Sequence, residues 1–99
     1  MLRGLSLSAA QQDRVFVIVH AQAPLLREKA NAARRAHDEL RALTMSMEYD
    51  LAKAASLADA SARALGELAL ARAIGEHQIY LMLDDEQRVT LCRLYNEYL

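Results

Sequence analysis

The chain of 99 residues has one cysteine, one proline, three glycines and no tryptophan, and only 5% of it is aromatic. One cysteine excludes an internal disulfide and any zinc module built on cysteines. Pro24 and so few glycines leave too few turn-formers for a sandwich or barrel of short strands, while long helices go unhindered. No apolar run reaches the roughly 18 residues that a membrane-spanning helix needs. A charged, then apolar, then small-residue leader is also missing at the start. An ectodomain whose signal or anchor precedes Met1 fits the same beginning. Charge of one sign is lacking too: 12 Lys and Arg face 13 Asp and Glu, for a net charge of -1. Nucleic-acid binders normally carry a basic excess, so no nucleic-acid partner is expected. There is no Gly-rich phosphate loop, no nucleophile elbow and no His-Glu-x-x-His, so neither an enzyme nor an organic cofactor is expected.

What is present is helical periodicity. Ser8-Ala9-Ala10-Gln11 forms a capping box, in which the serine hydroxyl and the glutamine side chain satisfy each other's backbone N–H. A first helix runs from it through Val15-Phe16-Val17-Ile18-Val19-His20. Pro24 suits the first turn of a second helix, where its missing N–H is not needed. The stripe of that helix is Leu26, Ala30, Ala33, His37 and Leu40. Thr44-Met45-Ser46-Met47 is the turn. A third helix from about Tyr49 to Met82 shows a thin seam of Leu51, Ala55, Ala58, Ala62, Leu65 and Ala69. A second box, Asp84-Asp85-Glu86-Gln87, opens a last helix with Val89, Cys92, Tyr95 and Leu99 along one side. On that side Cys92 reads as a small buried hydrophobe. Met45 and Met47 straddle the tip, where turn filling is a simpler role than a copper perch.

A helix of about 33 residues measures about 50 Å, whereas a compact chain of this length has a radius of gyration of about 13 Å. The expected fold is therefore all-α: an elongated antiparallel helical hairpin with short terminal helices, four helices in a single domain over residues 1–99. Alanine seams allow close approach but bury little area, so an intertwined homodimer is expected.

The two boxes, Leu7-Ser8-Ala9-Ala10-Gln11 and Leu83-Asp84-Asp85-Glu86-Gln87, resemble the paired LTxxQ motifs of the CpxP/Spy/ZraP/CnrX group of periplasmic proteins. Ser8 and Asp84 stand where that group usually has threonine, and both remain good N-caps. The resemblance implies a periplasmic, non-catalytic homodimer acting in stress or metal response. It covers nearly the whole chain. Within the group, metal sensors of the CnrX type place ligands on the first helix and shortly before the second box, where this chain has His20 and His77. Their His-x-x-x-His ahead of the first box has no counterpart in Met1 to Ser6, and the methionine four residues after the ligand histidine is Leu81 here, with Met82 one step late.

The leading expectation is thus a periplasmic metal-sensing or metal-stress domain that signals to a membrane-bound regulator or sensor kinase. His77, His20, Met82 and Glu76 would furnish a mixed site for Ni, Co, Cu or Zn. The alternative is a Spy/CpxP-like ATP-independent chaperone or stress-response modulator. Bland roles compete at each position. His77 shares a face with Leu70, Ile74 and Leu81, and histidine on such a stripe is as readily a packing residue as a ligand. His20 lies one turn from Phe16 and can simply rim the core.

Overall fold

The computed structural model describes residues 4–98. They form three helices, α1 Ala9–Thr44, α2 Leu51–Leu81 and α3 Asp85–Tyr98, with no strand among the described residues. The all-α expectation holds, and both boxes open helices where the sequence places them. The helix count is corrected from four to three, because α1 runs unbroken through Pro24. An interior proline removes one backbone hydrogen bond and crowds the carbonyl four residues earlier, at about 3 kcal/mol. Side chains on both sides of it, Ile18, Gln22 and Leu26, lie partly covered on one continuous stripe of α1. A helix that stops at Pro24 would lose that shared stripe. No helix among the described residues is long and apolar enough to cross a membrane.

The chain divides into two compact units, one of Met1–Ala21 with Ile74–Leu99 and the other of Gln22–Ala73. The second is a two-helix hairpin. Its turn is held by the backbone and by short polar side chains. The Ser46 N–H and hydroxyl both donate to the Leu43 carbonyl, at 3.1 and 2.9 Å, and the Asp50 carboxylate accepts from the Lys53 N–H at 3.3 Å as the cap of α2. Two ties fix the antiparallel register. The Gln22 amide donates to the Ala71 carbonyl at 3.0 Å, and the Lys29 ammonium donates to the Glu67 carboxylate at 2.9 Å. The core between these helices is thin: Ala33, Ala54, Ala64, Leu68 and Ala71 are its buried members. In the first unit Leu5, Ile79 and Leu83 are buried.

Three expected faces are corrected. On α2 the expected stripe of Leu51, Ala55, Ala58, Ala62, Leu65 and Ala69 is exposed throughout, and Ala54, Leu57, Ser61, Ala64, Leu68, Ala71, Gly75 and Ile79 turn inward instead. Alanine is so common on this helix that two stripes about 100° apart both look apolar. The expected stripe runs on into Arg72 and Glu76, whereas the observed one stays free of charge to its end at Ile79. On α1, Leu26, Ala30, Ala33 and Leu40 do face inward, but His37 is exposed and Ala36 takes its place. On α3, Val89, Cys92 and Tyr95 are exposed while Leu91 and Leu94 are partly covered. Cys92 is therefore not a buried hydrophobe, and Leu99 lies outside the described residues.

Two outcomes follow for this fold. Leu68→Ala should lower stability by about 2–5 kcal/mol, as for a leucine removed from a packed position. Leu65→Ala, on the exposed stripe, should change it by under about 0.5 kcal/mol in chemical denaturation. Equal losses would restore the other stripe. The Lys29 ammonium is held above its ordinary pKa of 10.5 by the hydrogen bond and charge of Glu67. A base with a raised folded pKa contributes stability that is fully present below its unfolded value and lost as pH rises through the folded one. Glu67→Gln should return Lys29 toward 10.5 in a side-chain NMR titration. The stability gap between the two proteins should then close at strongly alkaline pH.

Candidate functional site

The two boxes meet. In each, the capping residue and the glutamine three positions on satisfy one another. The Ser8 hydroxyl accepts from the Gln11 N–H at 3.1 Å and Gln11 Oε1 accepts from the Ser8 N–H at 2.9 Å. Asp84 Oδ1 accepts from the Gln87 N–H at 2.8 Å and Gln87 Oε1 accepts from the Asp84 N–H at 3.0 Å. The two side-chain amides then bond to each other: Gln11 Nε2 donates to Gln87 Oε1 at 2.8 Å, and Gln87 Nε2 donates to Gln11 Oε1 at 2.9 Å. Each nitrogen has one donor left. Gln11 gives its own to the Met82 carbonyl at 3.3 Å, and Gln87 gives its own to the Ser6 carbonyl at 2.9 Å.

Met82 and Ser6 each stand two residues before a cap, so the hydrogen-bond pattern of one box is repeated by the other. An amide offers two donors and two acceptor lone pairs, and both glutamines use all four. Partly buried polar groups that are fully satisfied hold structure together and leave nothing free to react. The residues after the glutamines continue the likeness. Gln12 reaches back to the Leu7 carbonyl at 3.4 Å, while Arg88 reaches the Tyr80 and Leu81 carbonyls at 3.1 and 3.0 Å. Those two carbonyls end α2, where a cation is favoured by the helix dipole. The guanidinium also lies over the Tyr80 ring, 4.9 Å from its centre.

The four candidate metal ligands fall in this same unit. His77 is exposed and stacks on Tyr80, with ring centres 6.0 Å apart. Its stripe of Leu70, Ile74 and Leu81 is exposed as well, so the packing role is corrected: His77 is not a core histidine. His20 is exposed and stacks on Phe16 at 5.4 Å. Glu76 is exposed, and Met82 is half-buried with its carbonyl engaged by Gln11. No group of three or more His, Cys, Asp or Glu side chains gathers among the described residues.

Around these positions large apolar side chains lie open. Phe16 and Val17 are 67% and 64% exposed, Ile74 and Leu81 are 52% and 59%, and Val89 is 60%. The repeat of the box was visible in the sequence, but the mutual bonding of its two glutamines was not read from it. The identical cap-to-glutamine spacing was the available signal. Two helix starts with matching side-chain geometry can face each other, and a glutamine pair is the simplest way for both to be satisfied.

Gln87→Ala should lower stability by about 1–3 kcal/mol, since it strands the Gln11 amide in a partly covered place and leaves the exposed Ser6 carbonyl to water. Gln87→Glu is the sharper probe. At neutral pH its carboxylate can still cap Asp84 but cannot donate to Gln11 or Ser6. Part of the loss should return at acid pH, when the protonated carboxyl regains one donor. Urea unfolding at neutral and acid pH, read against the parent protein, checks both. Comparison with protein-family models, curated proteins and solved structures found no match.

Proposed function

We propose that the chain is a non-catalytic polypeptide-binding module of the bacterial envelope, an ATP-independent chaperone or stress-response modulator built on the twin-box hairpin. The observation that carries this reading is the amount of large apolar surface left open on the helices of the paired boxes. Phe16, Val17, Ile74 and Leu81 are each more than half exposed, in the unit that also contains the paired boxes. Exposed apolar patches on a water-soluble surface mark binding sites. The resemblance of the boxes to the LTxxQ group supports a periplasmic setting and a partner that is a polypeptide.

A homodimer belongs to the same proposal. Large apolar side chains left open within each unit, Leu65 and Leu70 in the hairpin and Phe16 and Ile74 in the other, support it. Among the described residues the buried side chains of the hairpin unit are mostly alanine, and a second copy would add cover to so thin a core.

A second reading, metal sensing with signalling to a membrane-bound regulator or sensor kinase, is favoured by one observation. His20 and His77 are both solvent-accessible within the unit of the boxes. Two imidazoles with Glu76, Met82 or water would make a modest site for Ni, Co, Cu or Zn.

Suppression of the aggregation of a denatured client, measured with chelator-treated protein, separates the two. Clear activity without metal is expected, together with a dimer in sedimentation analysis. Absence of that activity, with a calorimetric metal signal that His77→Ala abolishes, would transfer the function to sensing.

A further inference from the structure

The tip of the hairpin unit carries two methionines whose surroundings differ from those of Met82. Met45 is 82% exposed and Met47 is 98% exposed, and Tyr49 and Leu51 beside them are 51% and 73% exposed. The simpler role of turn filling requires these thioethers to be covered, and they are not. The turn does not depend on them either. It is closed by the Met45 N–H on the Arg41 carbonyl at 3.2 Å, by both Ser46 donors on the Leu43 carbonyl, and by the Asp50 cap. Each of these contacts uses backbone or short polar side chains.

From this we infer that Met45 and Met47 are a reversible oxidation site, at which hydrogen peroxide turns two exposed apolar side chains of the hairpin tip polar without unfolding it. The sulfur lone pair attacks one peroxide oxygen, the O–O bond breaks, and the other oxygen leaves as water after taking up a proton. Sulfur loses two electrons and peroxide gains them. The product sulfoxide carries a strong hydrogen-bond acceptor, which converts a flexible apolar side chain into a polar one. In a packed core that change disrupts folding. Here the thioether touches mainly solvent before and after. Sulfoxide reductases of the methionine type would restore the starting state. The inference stands apart from the proposed function, because it rests on the tip alone.

The test treats folded protein carrying Cys92→Ser, which removes the exposed competing thiol, with a small excess of hydrogen peroxide. Peptide mass spectrometry follows each methionine over time, with half-buried Met82 as the internal reference. Sulfoxide is expected to accumulate at Met45 and Met47 several-fold faster than at Met82, with helical circular dichroism unchanged. Met45→Leu with Met47→Leu should remove the fast phase and leave the fold intact. Equal rates at the three positions, protection of the tip, or loss of helicity in step with tip oxidation would each overturn the inference.

Discussion

The reciprocal amide bond between Gln11 and Gln87 is the constraint on which the unit containing it depends. Each glutamine does two things at once: it caps its own helix and donates to the other's cap region. Because Gln87 must face Gln11, the rotation of α3 about its own axis is set. Residues four and seven positions further, Leu91 and Leu94, then turn to the same side and are partly covered, while Val89, Cys92 and Tyr95 turn outward. The apolar pattern of α3 taken alone does not choose between the faces, since Leu91 and Leu94 stand against Val89, Cys92 and Tyr95. The polar contact supplies the choice.

The rest of the molecule shows the same balance of weak apolar preference and specific polar ties. In the hairpin unit the buried residues are chiefly alanines, so burial discriminates little between neighbouring registers. Gln22 on the Ala71 carbonyl and Lys29 on Glu67 do discriminate, since each needs one particular pairing of α1 with α2. Large side chains such as Phe16, Leu65 and Ile74 are left outside.

Legibility in the sequence followed the strength of the local signal. The two capping boxes and the turn after Thr44 were readable, because each rests on side chains that bond within a few residues. The course of α1 through Pro24 was not, because the penalty of proline is local while the compensation lies along a stripe shared by both halves. The face of α2 was misread for a related reason. Leu51 and Leu65 made the wrong stripe look as apolar as the right one, and only its collision with Arg72 and Glu76 further along distinguishes them. His20 and His77 were legible as a candidate pair by resemblance, and both lie in the unit of the boxes. Their stacking on Phe16 and Tyr80 needed coordinates, since i to i+4 and i to i+3 neighbours contact only in particular rotamers.

A double-mutant cycle on Gln11→Ala and Gln87→Ala measures the bond between the boxes most directly. Each single change should destabilise, and the pair should cost little more than the worse single, a coupling of about 1–2 kcal/mol within the range seen for residues of one hydrogen-bonded network. Losses that add to within about 0.5 kcal/mol would contradict it, since they would mean that each glutamine acts only as the cap of its own helix.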